Sequence, residues 1–377
     1  MKKRILTALL ALLAALLLGL AASAEAAPLL DVDAAGTVRC AAGEGRTLYL
    51  ASYDPDSGQF LGLLHSGSHL NGTSLLKAMQ TDAQGRPVSA ARSVLVLAEG
   101  GSYRGGTYDA VVITARARGA VRLTDMEIGD LRDCHGGDLE LDGVTVRGEL
   151  CVAGPDAALS AEGGQPSIRI RNRSGVGSIR VMQTADGGIQ IRTEEGCRVD
   201  WVLVEDGRGE ILLEGDFHQV VLDTDHDAAV VLDGATVSGL TINGQGADVT
   251  LQGETSVVSV EISEDAENSS LMLDAEVEAS YVHAAAGDVS ISGAGTVVCA
   301  EVSGDGCAVD TVGTWLSVAP GTTGVTENGS GVAAGSTVLT GAELFNTYKE
   351  ISKLESGEAF LKAKGMLREH MEEIVAS

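Results

Sequence analysis

Residues 211–262 read ILLEGDFHQV VLDTDHDAAV VLDGATVSGL TINGQGADVT LQGETSVVSV EI, and this stretch decides the fold. A short aliphatic run ends in an acidic or amide residue followed by Gly, a second aliphatic run follows, and a polar loop closes the unit. Leu213-Glu214-Gly215, Leu232-Asp233-Gly234 and Leu251-Gln252-Gly253 mark the first turn at intervals of 19. Leu141-Asp142-Gly143 and Ile291-Ser292-Gly293 carry the tripeptide outward in both directions, and Leu273 divides the last interval. The second runs place Leu222, Ile242, Ile262, Val282 and Val302 at successive intervals of 20, with Val204 preceding Leu222 by 18.

A period near 20 with two or more short strands per repeat is one coil of a parallel β-helix, in which equivalent residues of successive coils stack at about 4.8 Å. Gly after Asp, Glu, Gln or Ser supplies the positive φ that each corner needs. The rival, an antiparallel sandwich with evenly spaced strands, does not explain one turn tripeptide recurring at a fixed register. The chain has 49 Gly but only 4 Phe, 6 Tyr and 2 Trp in 377 residues, which suits stacked ladders of Val, Ile and Leu. Residues 105–338 are therefore assigned to the solenoid.

Hydrophobic residues make up 44% of the chain, enough to exclude a disordered acidic tail. The formal charge of -27 excludes a nucleic-acid partner, since phosphate neutralisation needs clustered Lys and Arg. Lys2, Lys3 and Arg4 precede an apolar run from Ile5 to about Ala22, and Ala22-Ser23-Ala24 or Ala24-Glu25-Ala26 offers a small-x-small cleavage site. Residues 1–24 read as a signal peptide, which predicts a secreted or cell-surface protein with no transmembrane segment after cleavage. Six cysteines (Cys40, Cys134, Cys151, Cys197, Cys299 and Cys307) form no CxxC pair and read as buried thiols rather than bridges; if any pair forms, Cys134 and Cys151 are the candidates.

The runs Thr37–Cys40, Arg46–Ala51, Gln59–Leu64 and Ser74–Met79, with turn signals at Asp54-Pro55-Asp56-Ser57-Gly58 and Asp82–Pro87, predict a small antiparallel β-sandwich over 35–100. At the other end, Thr340-Gly341-Ala342-Glu343 is a capping-box pattern. It opens apolar positions at Leu344, Phe345, Tyr348, Ile351 and Leu354, and a second set follows Gly357. This predicts a C-terminal helical segment over 340–377, acting as a cap on the solenoid or as a partner-binding tail.

The stretch from Gly295-Thr296-Val297 through Val309-Asp310-Thr311, Gly313-Thr314, Leu316, Val318, Gly321 and Val325 resembles the β-helical, pectate-lyase-like ectodomains of adhesin-like secreted surface proteins of Gram-positive bacteria. Leu48–Asp54, with Leu76-Lys77-Ala78 and Arg86-Pro87, looks like a small β-sandwich module found beside them. The resemblance implies an adhesion or scaffold role toward extracellular or cell-wall glycans or surface proteins.

The chemical signals are sparse. An inverting glycosidase needs two facing carboxylates and usually a ring platform, whereas Trp201, Phe217, Tyr281 and Trp315 are scattered in sequence. Arg169, Arg171, Arg173, Arg180 and Arg192 mostly alternate along strands, as solvated outer faces do, and His65-Ser66-Gly67-Ser68-His69 reads as a loop with incidental histidines. No catalytic residue is assigned.

Asp223-Thr224-Asp225-His226-Asp227 shares the opening DxDxD of calcium loops, but Ala228 and Gly234 stand where an EF-hand needs Gly and an acid. The 20-residue register adds Glu205 and Glu264 from neighbouring coils, so Asp223, Asp225, Asp227, Glu205 and Glu264 are the candidate ligands for weak Ca²⁺, with a solvated acidic ridge as the alternative. The functional expectation is a secreted or cell-surface β-solenoid acting as a non-catalytic adhesion or scaffold module toward glycans. The alternative is a carbohydrate-active β-helix enzyme, a polysaccharide lyase or glycoside hydrolase.

Overall fold

The computed structural model describes residues 29–88, 91–154, 166–184, 188–205, 209–224 and 228–341, and among them every regular element is a strand. Aliphatic runs of a few residues, several of them closed by a glycine of positive φ, are too short to propagate a helix but long enough to pair as strands. The chain divides into two compact units, one holding the residues up to Ala98 with Tyr108–Thr114, the other Glu99–Thr107 and everything from Ala115 onward.

In the first unit Leu29–Val32 pairs antiparallel with Val38–Ala41. A larger sheet runs in the order Phe60–Leu63, Thr47–Tyr53, Ser74–Thr81, Arg92–Leu97, all antiparallel, with Thr107–Ile113 added in parallel to Arg92–Leu97. Leu30, Val32 and Val38 of the pair share one core with Leu50, Leu76, Ala78, Val94, Val96 and Val112 of the sheet. The edge strand Phe60–Leu63 is different. Phe60, Leu61 and Leu63 are 53%, 55% and 72% exposed, so neither of its faces is covered.

The second unit is a parallel β-solenoid of about eleven turns. Short strands such as Leu139–Asp142, Ala229–Asp233 and Ser290–Gly293 stack in one sheet, and the alternate, longer strands such as Asp216–Leu222, Thr236–Ile242 and Thr296–Val302 stack in another. Inside the short-strand sheet, Leu213, Leu232, Leu251 and Leu273 form one fully buried ladder, and Ile211, Val230, Val249, Leu271, Ile291 and Val309 form the next. Each such side chain contributes about 1.5–3 kcal/mol by burial.

The long strands change phase in the middle. In Thr236–Ile242 the inward residues are Val237, Leu240 and Ile242, so Ser238 and Gly239 lie between two inward positions instead of one. Asp216–Leu222, Ser256–Ile262, Glu278–Ala284 and Thr296–Val302 repeat the same slip, which bends each strand and splits its wall into two facets. Phe217 fills the interior at this bend between Val199 and Val237.

Two register expectations fail, the 20-residue count of the second runs at Val282 and the alignment of the turn tripeptide at Ile291. Ile262 stacks on Ala284, not Val282, and Leu273 stacks on Gly293, not Ile291. One cause accounts for both. The corner between Ser256–Ile262 and Ser270–Leu273 holds two residues more than the corner between Thr236–Ile242 and Asp248–Gln252, so the register moves on by two. Gly293 then sits at φ 119°, where a Cβ would run into the Leu273 backbone carbonyl.

Buried hydroxyls fasten several corners. Ser174 accepts the Val144 amide at 2.9 Å and donates to Leu141 O at 3.0 Å, and Thr255 accepts the Ala235 amide at 3.1 Å and donates to Leu232 O at 3.1 Å. Ser269 does the same for Ala247 N and Gly244 O, at 3.2 and 3.3 Å. Outside, Arg171 bonds Glu140 at 2.7 Å, Arg122 bonds Asp142, and Arg180 lies 3.4 Å from Glu149, so these cations are ion-paired on outer faces. All six cysteines are free thiols, with Cys134, Cys197 and Cys307 buried.

The stack ends when the chain reverses. Thr337–Leu339 pairs antiparallel with Trp315–Val318, and Ser330–Gly331 with Thr326–Glu327. This corrects the expected helical C-terminus. Among the described residues there is no helix, and Thr340, read from the sequence as a helix N-cap, is fully buried against the last turn. Its amide donates to Thr314 O and its hydroxyl accepts the Thr314 amide, both at 2.9 Å, so the group expected to cap a helix closes a β-corner. Residues 342–377, and residues 1–24 where the sequence predicts a signal peptide, lie outside the described residues.

Candidate functional site

Because the long strands keep register, outward residues form columns. Three residues before the last inward position stand, in order, Ser178, Trp201, Gln219, Gly239, Ser259, Tyr281, Cys299 and Trp315. One residue before it stand Leu203, Val221, Thr241, Glu261, His283, Glu301 and Ser317. Just after it, amide-to-carbonyl bonds between rungs align Glu205, Asp223, Asn243, Ser263, Ala285, Ser303 and Ala319.

The first column gathers rings that are far apart in the chain. Trp201 and Trp315 are 43% and 55% exposed, and Tyr281 is half-buried between them. Four rungs separate Trp201 from Tyr281 and two separate Tyr281 from Trp315, about 19 and about 10 Å along the stack. Gly239 leaves the column low between them, since a Cβ there would press on the Gln219 side chain.

Beside Tyr281 the second and third columns supply a polar network. His283 Nδ1 lies 2.8 and 3.0 Å from the two Glu261 carboxylate oxygens, and its Nε2 lies 3.3 Å from Ser303 Oγ. A carboxylate only accepts, so Nδ1 is the donor to Glu261, and in the neutral imidazole the Nε2 lone pair faces the serine hydroxyl. Tyr281 O–H donates to Glu301 Oε2 at 2.9 Å. Its pKa is pushed up to about 12, by burial first and then by the hydrogen bond and charge of Glu301, so the phenol stays a donor. The arrangement contains a hydroxyl, a base and a carboxylate that orients the base, the three parts of nucleophilic catalysis.

The predicted calcium ligands are only partly brought together. Glu205 and Asp223 are neighbours in the third column, and Glu205 lies 3.7 Å from the Arg180 guanidinium. Glu264 is not in that column, where Ser263 stands in its rung, and Asp225 and Asp227 lie outside the described residues. Among the described residues no group of three acidic, His or Cys side chains is placed to hold a metal ion.

A second titratable pair is internal. His135, 7% exposed, bonds Asp133 through Nδ1, and Asp133 also accepts the His135 amide at 3.0 Å. Burial opposes protonation of this imidazole, but the hydrogen bond and charge of Asp133, with the carbonyl and charge of Asp138, outweigh it and raise its pKa. It supports the turn after Glu127–Asp133.

Sequence reasoning missed the ring column and the His283 network. The signal was available as a fixed offset from the last inward aliphatic residue: Trp201 before Val204, Tyr281 before Ala284 and Trp315 before Val318. Comparison with protein-family models, curated proteins and solved structures finds no match for this chain. The solenoid thus stands on its own geometry, and the likeness to Gram-positive surface proteins extends no further than the β-helix.

Proposed function

We propose that this chain is an exported adhesion or scaffold module that holds extracellular or cell-wall glycans along the outer face of its long-strand sheet. One observation carries the reading: Trp201, Tyr281 and Trp315, scattered in sequence, share a single outward column. Exposed indole faces in a row suit the apolar faces of sugar rings, and Glu301 holds the Tyr281 hydroxyl between them. The rigid strands fix the spacing before any ligand arrives, which lowers the entropy cost of binding. The charge of -27 selects against polyanions, so the ligand is a neutral or amino-bearing polysaccharide. The leader over residues 1–24 supports delivery to the outside.

A glycan array followed by affinity electrophoresis in neutral polysaccharides tests this. Binding to a linear neutral or amino-bearing glycan is expected, weakened at least tenfold in Trp201→Ala or Trp315→Ala. An array with no such ligand, or binding unchanged in both variants, overturns the reading.

A further inference from the structure

We propose that Glu261, His283 and Ser303 form an acyl-transfer relay in which Ser303 is a nucleophile toward short-chain acyl esters with good leaving groups. The three residues come from successive long strands, Ser256–Ile262, Glu278–Ala284 and Thr296–Val302 with the residue that follows it. The fold therefore assembles them by stacking, with Glu261 directly below His283 in one column and Ser303 one rung above in the next. The hydrogen-bond chain is complete in one direction: Glu261 carboxylate to Nδ1, then Nε2 to the hydroxyl at 3.3 Å. Ser303 and Glu301 are exposed, so an ester can reach Oγ from solvent.

In the reaction Ser303 Oγ bonds to the acyl carbon as its proton passes to His283 Nε2. The carbon–oxygen bond to the alcohol breaks, and the alcohol leaves with the proton from Nε2. Water then attacks the acyl carbon, giving its proton to Nε2, the bond to Oγ breaks, and Oγ recovers that proton. The net change is ester plus water to acid plus alcohol.

The surroundings set the substrate class. The two nearest amides, Ser303 N–H and Gly304 N–H, both donate to Ala284 O, at 2.8 and 3.2 Å. Neither is left for an oxyanion, a contribution that is about 10²–10³-fold where it is present. What remains is base catalysis, about 10²–10⁴-fold. That suffices for an ester whose leaving alcohol is already stable as an anion. The activity goes beyond glycan holding and does not rest on the ring column.

The test uses the full mature chain with a fluorophosphonate probe and p-nitrophenyl acetate. Oγ displaces fluoride from phosphorus, so the expected result is one phosphonyl adduct, mapped by mass spectrometry to Ser303 and absent from Ser303→Ala. In His283→Gln the labelling rate and the acetate burst should fall at least about 100-fold, and in Glu261→Gln by a smaller factor. Thermal melts matching wild type would separate these losses from unfolding, since Glu261 and His283 face outward from their strands and Ser303 is exposed just after its own. No adduct at Ser303, or a labelling rate unchanged in His283→Gln, overturns the relay. Glycan binding is read separately, so either proposal can fail alone.

Discussion

Replacing Thr255 by Val probes what holds successive coils in register. The two side chains have nearly the same shape, so packing is preserved and only the hydroxyl is lost. In the wild type that hydroxyl, 1% exposed, accepts the Ala235 amide at 3.1 Å and offers its proton to Leu232 O and Gln252 O. Ala235 is fully buried, so after the substitution its N–H has neither partner nor water. An orphaned buried donor costs about 1–3 kcal/mol, and the two carbonyls add less because each has a second lone pair. For a unit of this size the loss corresponds to a drop of about 2–12 °C in melting temperature. Thr296→Val supplies the control, because Thr296 is exposed at the start of its strand and its replacement should change stability by less than about 0.5 kcal/mol. Differential scanning calorimetry of both variants decides the matter. If Thr255→Val melts with the wild type while its amides exchange normally, buried hydroxyls do not fasten the coils.

Other expectations follow from single sites. The raised pKa of His135 means that its protonated form favours the fold: this contribution is complete below about pH 6.5 and fades as pH rises through the folded-state value, so melts at about pH 6 should exceed those at about pH 8.5. That difference should shrink in His135→Gln, and a slope unchanged by the substitution would argue against the pair. Leu63→Lys, at a 72% exposed edge position, should leave the melting temperature unchanged and reduce self-association seen by light scattering. Gly293→Ala should destabilise the solenoid by more than Gly329→Ala, since both residues have positive φ but only Gly293 faces a backbone carbonyl where the new methyl would lie. Equal melting shifts for the two would contradict the close approach.

The wall of the solenoid was legible because burial imposes a repeating aliphatic pattern that survives loops of unequal length. Its register was not, since Val282 falls on the 20-residue count by coincidence while the longer corner Ser263–Ser269 places Ala284 in the ladder. Alanine in a ladder otherwise made of Val, Leu and Ile gives no hydropathic alarm. The same two residues hid the outward columns: with the count off by two, Tyr281 and Trp201 do not coincide, and neither do His283 and Glu261. Thr340 misled for another reason. A buried threonine at a β-corner and a threonine N-cap read alike when a glutamate, here Glu343, stands three residues on, and only the position of Thr314 tells them apart.

The mid-strand slip has a bearing on how such a chain can change. Each long strand shows solvent an outward residue at the bend and another two places on, and every coil contacts only the coil before and after it. Inserting or deleting one whole coil between Gln219 and Ser259 would leave both neighbours with the pairing surface they already have. The interior would be unaltered, yet Trp201 and Tyr281 would move apart or together by about 4.8 Å. The molecule is built as a graduated rule, on which the gap between two marks can be reset in whole divisions while the marks themselves stay unaltered.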